Sequence, residues 1–326
     1  MRNIMKTTNL YAIALASLVS ITVTCLFLGS EAVANNKADY QTDKMIEAAH
    51  RADKAFSDND IEKYLSFFTA DFIHENVSRP PSDKEQFAKK IEGFFNAFPG
   101  VRNYQKNLLP YENYLIFDEC TFEIPLSGKN KPLKIFHMDI VEMEGEKLKV
   151  KRTFGDGALM KAALKKIEPP FLKPQMATIS LPPPKPQGLK PIDAQAEILK
   201  HWNERNLAEL AEMIHADAEI LVSPLFNPVN RSEYIGWQEL FFNAFPDLTI
   251  SESQTYAGDD WAISEIELKG TNTGPYINNV STGKNIDLIA GFLTRYDKAG
   301  AITSLKLFID SMKIMEQLKL EPVSLK

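Results

Sequence analysis

The stretch Phe-Phe-Asn-Ala-Phe-Pro occupies residues 94–99 and occurs again, letter for letter, at residues 241–246. Two identical aromatic hexapeptides separated by 147 positions indicate an internal duplication. The flanking sequence repeats in the same order, since Phe-Gly-Asp at residues 154–156 corresponds to Phe-Ile-Asp at residues 308–310. The sequence therefore predicts two copies of one structural unit.

Length and charge limit the number of domains and the kinds of partner that this chain can have. A chain of 326 residues with 44% hydrophobic residues is long enough for two domains of ordinary size. The formal charge is +3 over residues 1–191 and −9 over residues 192–326. Because an acidic half without a basic stripe repels a phosphate backbone, we expect no nucleic-acid partner.

The N-terminus has the pattern of a secretory signal peptide. Arg2 and Lys6 precede an uncharged run over residues 10–29, and a small-x-small motif ends at Ala34. This pattern predicts removal of residues 1–34 and export to the periplasm or the medium, with no stable membrane insertion after cleavage. Residues 10–29 are also long enough to span a bilayer, so an uncleaved membrane anchor is the alternative.

Cleavage after residue 34 would leave Cys120 as the single cysteine of the mature chain. One thiol cannot form an intramolecular disulfide, and it cannot supply the paired cysteines of a zinc site. The sequence therefore predicts neither a disulfide nor a metal centre.

Hydrophobic periodicity predicts the same order of elements in both copies, with helices first, strands afterwards and one closing helix last. The first copy predicts helices at 41–57, 60–69, 83–98 and 158–166, and strands at 71–75, 114–123, 133–143 and 147–154. The second copy predicts helices at 193–204, 207–215, 232–245 and 311–320, and strands at 218–222, 248–256, 261–270, 284–296 and 302–309. Both patterns belong to the α+β class.

Residues 168–191 contain eight prolines and cannot form regular secondary structure. This segment is the predicted linker between a first domain at 38–167 and a second at 192–321. A proline-rich segment of this length allows the domains to pack together or to stay apart. Pairing of the two domains within the chain and formation of a homo-oligomer are therefore both open.

Four motifs of the second copy give it a family resemblance: Asn-Ala-Phe-Pro-Asp at 243–247, Gly-Thr-Asn-Thr-Gly at 270–274, Ser-Thr-Gly-Lys at 281–284 and Ile-Asp at 309–310. With them this copy resembles the SnoaL-like polyketide cyclases of the nuclear-transport-factor-2-like superfamily. The first copy is similar to that family only through the internal repeat. The resemblance implies tandem cone-shaped α+β barrels, with helices packed on a curved antiparallel sheet. It also implies an apolar pocket for a small apolar molecule and no cofactor.

In enzymes of that family an aspartate at the end of the last strand acts as acid and base, and its position here is Asp310. The chain departs from the family pattern at Asn272, where a histidine is common, and at Leu305-Lys306, where His-Trp is common. No histidine follows His215. These departures favour a pocket that binds a small hydrophobic ligand without catalysis. The alternative is a cofactor-independent cyclase or isomerase that uses Asp310 on a small carbonyl compound.

Asp310 also has a structural interpretation. It follows an alternating strand and could project into an apolar pocket, which would raise its pKa toward that of a useful proton donor. It equally fits the N-cap of the closing helix, and Asp156 occupies the corresponding position in the first copy.

Six residues form the predicted ligand-binding set. His137 lies in a strand 19 residues before Asp156, and pairing of neighbouring strands could create a His-Asp acid–base pair there. A merely half-buried strand histidine is the alternative. Polar groups at the pocket mouth are predicted from the Gly-Thr-Asn-Thr-Gly motif, although a structured turn needs the same residue types. The set is Thr271, Asn272, Trp237, Phe308, His137 and Asp156, of which Trp237 lies on an aromatic helix face that is more typical of a core.

Overall fold

A computed structural model describes residues 41–77, 79–125, 132–164, 179–185, 187–225, 227–276 and 279–320. The predicted signal peptide and the first half of the predicted linker lie outside these ranges. Among the described residues, none of the helices combines the length and the apolar character needed to cross a membrane.

The first unit consists of helices on one face of a seven-stranded sheet. Its helices are α1 (residues 41–57), α2 (Ile61–Ser66), α3 (Lys84–Ala97) and α4 (Gly157–Leu164). Its strands are β1 (Phe68–Asn76), β2 (Arg79–Asp83), β3 (Arg102–Gln105), β4 (Leu108–Tyr111), β5 (Tyr114–Ile124), β6 (Leu133–Glu144) and β7 (Lys147–Gly155). The strand order is β2-β1-β7-β6-β5-β3, and β4 also pairs with β5.

The second unit has the same plan around a six-stranded sheet. Its helices are α5 (Pro191–Glu204), α6 (Leu207–Met213), α7 (Arg231–Ala244) and α8 (Ser311–Leu318), with a short 3₁₀ turn at Ser223–Leu225. Its strands are β8 (Ile214–Val222), β9 (Pro228–Val229), β10 (Thr249–Ala257), β11 (Trp261–Thr271), β12 (Asn285–Tyr296) and β13 (Ile302–Phe308). The strand order is β10-β11-β12-β13-β8-β9, so the predicted α+β class is confirmed.

The repeated hexapeptide ends one helix in each unit. α3 and α7 end at the alanine of the two hexapeptides, where the proline two positions later prevents continuation. Both helices also begin with a capping box, formed by Asp83 with Gln86 and by Asn230 with Glu233. Matching start and stop signals explain why α3 and α7 have the same length of 14 residues.

Both sheets differ from the antiparallel arrangement that the sequence predicts. β1 pairs with β7 in parallel, and β8 pairs with β13 in parallel, whereas the remaining pairs are antiparallel. Each parallel pair joins the first and last long strands of its unit, which are separated by the whole intervening sheet. Two strands joined by a tight turn must be antiparallel, but no tight turn joins the strands of these pairs, so the sequence does not determine their relative direction.

The second half of the predicted linker packs against the second unit. Ile179, Leu181 and Leu189 are partly buried on its core, and the Arg231 guanidinium donates hydrogen bonds to the carbonyl groups of Pro182 and Ala211. This part of the linker is irregular in structure, as predicted, but it is held to the second unit by these contacts.

The two units pack on each other through the sheet faces that the helices leave uncovered. An apolar cluster fills this interface and includes Met138, Ile140 and Phe154 from the first unit with Trp261 and Phe308 from the second. A side chain at Gly291 in β12 would overlap the Met138 methyl group and the Phe154 ring, so the close approach of the sheets requires a glycine there. The two domains therefore pair within one chain.

Candidate functional site

The first cavity lies between the helices of the first unit and its sheet. α1 and α2 form one wall, and β3, β5, β6 and β7 form the other. The empty space amounts to about 440 Å³ when the open solvent at the mouth is included. Most of the lining is aromatic or aliphatic. Its polar side chains, apart from the Tyr64 hydroxyl, are those of Asp53, Asn103, Gln105, His137, Asp139 and Lys151.

Strand alternation explains why three ionisable groups face this cavity. In β6, His137, Asp139 and Val141 line the cavity, while Met138 and Ile140 face the second unit. In the antiparallel pair β6–β7, Lys151 lies opposite Val141 and Thr153 lies opposite Asp139. Residues opposite each other in a sheet share a face, so β7 adds Lys151 to the same wall.

The Asp139 carboxylate is the centre of the polar cluster. Its Oδ2 lies 2.8 Å from Lys151 Nζ and 3.7 Å from His137 Nε2, and its Oδ1 accepts a hydrogen bond of 2.6 Å from the Thr153 hydroxyl. The side chains of His137 and Asp139 are each 5% exposed. An ion pair with a buried carboxylate and a partly buried ammonium, 17% exposed, therefore lies beside an imidazole on the cavity wall.

Burial and mutual attraction determine the charges of this cluster. Burial lowers the pKa of His137 to about 4, although the Asp139 carboxylate opposes this effect. Burial disfavours both charges of the ion pair, but their attraction outweighs it: the pKa of Asp139 lies below its usual value and that of Lys151 above it. At neutral pH the wall thus carries a carboxylate, an ammonium and an uncharged imidazole.

A second polar group faces the cluster from the opposite wall. Asp53 of α1 accepts a hydrogen bond of 2.8 Å from Asn103 Nδ2, and burial raises its pKa, an effect that Asn103 and Lys151 reduce. Asn103 Oδ1 is buried without a hydrogen-bond partner in the described part of the chain. An unpaired buried acceptor is costly, so Asn103, which β3 contributes to the sheet wall, could take a hydrogen bond from a ligand.

The second cavity is smaller and has different chemistry. Its empty space amounts to about 220 Å³ when the open solvent at the mouth is included, and its lining is aromatic and aliphatic apart from Gln238, whose amide donates to the Tyr234 hydroxyl. Of the described residues that line it, none is ionisable. The unit with the family motifs therefore has no acid or base on the wall of its cavity.

Two aromatic residues of the predicted set lie on opposite sides of the second sheet. Trp237 lines the second cavity. Phe308 belongs to the interface cluster, while its neighbours Leu307 and Ile309 line the cavity. Because alternation is strict in β13, Phe308 contacts the first unit and not the cavity.

Thr271 and Asn272 maintain a turn. The Thr271 amide and hydroxyl donate to the two carboxylate oxygens of Asp247, at 2.6 and 2.7 Å. Asn272 is fully buried, and its amide bonds to Ala244 and Thr282. Their polar groups are already paired within the protein, and neither residue lines the second cavity.

Asp310 and Asp156 cap the closing helices of their units. Asp310 accepts hydrogen bonds of 3.0 Å from the Met312 amide of α8 and from the Gly157 amide of α4. Asp156 accepts 2.8 Å bonds from the Ala158 amide and the Ser311 hydroxyl. Each carboxyl thus contacts its own helix and the helix of the other unit, outside both cavities.

The predicted partner of His137 is replaced by another carboxylate. Strand pairing does bring the backbones together, since His137 lies opposite Gly155. Asp156, the next residue, points to the other face and bonds to Ser311, so the carboxylate beside the imidazole is that of Asp139. Asp139 and Lys151 were not predicted, although polar residues at cavity-facing positions of β6 and β7 were a signal for them.

Within the described ranges, one group of side chains could hold a metal ion. Ligand atoms of Cys120, His137 and Asp139 lie within 4.8 Å of one another. The Lys151 ammonium already neutralises the carboxylate, and burial raises the pKa of the thiol well above its usual value. Since a metal needs the thiolate and would displace the ammonium, this donor set fits an ion poorly.

Comparisons with known proteins agree with the fold of the second unit. Residues 192–318 match the family of SnoaL-like polyketide cyclases. No curated protein gave a significant match. Both units have the cone-shaped α+β arrangement that the sequence predicts.

The chain is similar to two solved structures from Streptomyces species. AclR of Streptomyces galilaeus, a proposed hydroxylase, is 20% identical over 40% of this chain and 96% of its own, with a TM-score of 0.37. IdmH of Streptomyces antibioticus, a proposed polyketide cyclase, is 21% identical over 40% of this chain and 100% of its own, with the same TM-score of 0.37.

Proposed function

We propose that the first cavity is a small-molecule site where His137, Asp139 and Lys151 perform acid–base chemistry without a cofactor. One observation carries this proposal: a buried ion pair lies beside a neutral imidazole on a cavity wall. Buried ions are expensive, and an apolar core of the same volume is often as stable. Perturbed ionisable groups in a cleft are therefore typical of functional sites.

The arrangement suits proton abstraction next to a carbonyl group. The neutral imidazole of His137 can accept a proton from carbon, and the Asp139 carboxylate at 3.7 Å stabilises the imidazolium that forms. The Lys151 ammonium can stabilise the negative oxygen of the resulting enolate. The substrate class is a small, mostly apolar carbonyl compound, which agrees with the aromatic lining from Phe56, Phe117 and Phe122.

A second candidate function is ligand binding without turnover. The low pKa of His137, about 4, makes the imidazole a weak base, and Asp139 already neutralises the ammonium. A cavity of this kind would retain an apolar carbonyl compound through its aromatic wall and one charge-assisted hydrogen bond.

Deuterium exchange tests the proposed chemistry. We expect the protein in D₂O to catalyse exchange at carbon next to the carbonyl in at least one member of a panel of small ketones and lactones, measured by proton NMR. His137→Gln should reduce that exchange at least about 100-fold while ligand binding, measured by saturation transfer, persists.

Asp310→Asn is the matched control, because asparagine caps a helix about as well as aspartate. It should exchange at the parental rate. If Asp310→Asn is inactive and His137→Gln is active, the acid–base residue is Asp310 and the proposal fails. Binding without any exchange in the parent protein would establish the second candidate.

We further propose that the protein is exported, on the basis of the basic, apolar and small-residue segments before residue 35. Mass spectrometry of protein from the cell envelope or the medium should find an N-terminus at Asn35. A membrane-bound chain that still begins at Met1 would instead establish residues 10–29 as an anchor.

A further inference from the structure

A β-bulge interrupts β5 beside the cluster on the first cavity wall. Phe117 pairs with Asp139 and Cys120 pairs with His137, so Asp118 and Glu119 together oppose only one residue of β6. A bulge of this kind sends two consecutive residues to the same side of a sheet. Both residues here are acidic, and both contact the second unit.

Two cations of the second unit bind these carboxylates. Lys306 of β13 places Nζ 2.7 Å from Glu119 Oε2 and 3.8 Å from Asp118 Oδ2. Arg295 of β12 places its NH2 atom 3.0 Å from Asp118 Oδ2, and Asn107 Nδ2 donates to the same oxygen at 2.8 Å. Asp118 and Lys306 are 0% and 1% exposed, whereas the side chains of Glu119 and Arg295 keep 13% and 22% exposure at the edge of the contact.

The bulge determines which residues of β5 face the cavity. After the extra residue, Cys120 and Phe122 return to the face that carries His137, and the Phe122 ring stacks on the imidazole at 4.3 Å with an interplanar angle of 22°. Without the bulge, the period of two would turn these side chains to the opposite face. The orientation of the His137 ring therefore depends on the register that the bulge maintains.

We propose that Lys306 and Arg295 are positioning residues for the first cavity. They bind the bulge from the second unit, and the bulge holds Phe122 against the imidazole. The importance of the His137 ring orientation for chemistry rests on the proposed function. The structural coupling of Lys306 and Arg295 to that ring, through the bulge, does not depend on it. The inference gives the second unit, whose own cavity lacks ionisable groups, a role in forming the site of the first.

Removing the Lys306 charge should loosen this region specifically. The buried Asp118 carboxylate would keep Arg295 as its cationic partner, and the partly buried Glu119 would keep the partly exposed Lys106 at 3.8 Å. A buried carboxylate that loses its partner tends to recover water, so the bulge should open more often. Cys120 follows the bulge directly, is completely buried and offers a thiol as a reporter of this opening.

The test compares Lys306→Met with Lys269→Met, the same substitution at an exposed position of β11 in the same sheet. Both are made in the full chain with Cys25→Ser, so that Cys120 is the single thiol. We expect Lys306→Met to accelerate labelling of Cys120 by a maleimide about tenfold or more. The His137 ring protons should also shift in NMR spectra as the Phe122 ring moves. Lys269→Met should change neither.

Unchanged labelling and unchanged His137 signals in a folded Lys306→Met protein would overturn the inference. If Lys306→Met does not fold, Glu119→Gln tests the inference with the same two measurements. It removes the carboxylate that binds Lys306 and leaves the ion pair between Asp118 and Arg295 in place. Neither readout uses turnover. Their result therefore stands apart from the exchange experiment, which alone decides the proposed chemistry.

Discussion

Lys151→Met should destabilise the protein by about 3–5 kcal/mol, because it leaves the buried Asp139 carboxylate without its counter-charge. The Thr153 hydroxyl at 2.6 Å, the Cys120 thiol at 4.0 Å and the neutral His137 would remain near that carboxylate, and none of them carries a positive charge. The measurement is urea unfolding at neutral pH, followed by circular dichroism. Lys149→Met is the matched control on the same strand, where an exposed ion pair with Glu144 predicts a much smaller loss.

A double variant separates the lost charge from the lost packing. Asp139→Asn keeps a hydrogen-bond acceptor for Thr153 and removes the uncompensated charge. Lys151→Met combined with Asp139→Asn should therefore be more stable than Lys151→Met alone, by about 2 kcal/mol or more. Equal losses for Lys151→Met and Lys149→Met would show that the ion pair is not buried in solution, and the proposed site would lose its main support.

Asp156→Asn should stabilise the protein, and more so as the pH rises. Burial, together with the nearby Asp310, raises the pKa of Asp156 to about 8 from an ordinary 3.8. Between these values the unfolded chain loses the proton that the folded protein keeps. Stability from this group is thus complete below about pH 4 and is lost as the pH rises through about 8.

Asparagine removes this titration and can still accept the hydrogen bonds from Ala158 and Ser311. Each pKa unit corresponds to about 1.4 kcal/mol. Even half of the pKa shift of Asp156 therefore implies that Asp156→Asn gains about 3 kcal/mol of stability over the parent protein at pH 8.5, relative to their difference at pH 4. Urea unfolding across that range measures it, with the exposed Asp71→Asn as control. A difference between Asp156→Asn and parent that is the same at every pH would contradict the shift.

Local sequence signals predicted most of the fold. The prolines that end the repeated hexapeptides and the alternation in the long strands predicted the long helices and strands, whereas the short strands β2, β3, β4 and β9 were not predicted. The parallel pairing of β1 with β7 was not predictable in this way, because it depends on contacts between distant segments. The bulge at Asp118 was also missed, since its partners Lys306 and Arg295 lie in the other unit.

The site was harder to predict, because a one-residue change of strand phase exchanges the two faces of a sheet. The family resemblance drew attention to Asp310, whose carboxyl serves as a cap at the contact between the units. In the first unit, the polar residues His137 and Asp139 alternate with apolar residues along β6. That pattern was visible in the sequence, but only the sheet topology shows that its polar side lines a cavity covered by helices.

The most direct test of the account is a crystal structure of the full chain soaked with a compound from the ketone and lactone panel. The account predicts the compound in the first cavity, with its carbonyl oxygen within hydrogen-bond distance, about 2.7–3.2 Å, of Lys151 Nζ. It also predicts the acidic carbon on the side of His137. A compound bound only in the second cavity, against Trp237 and Gln238, would contradict the central claim.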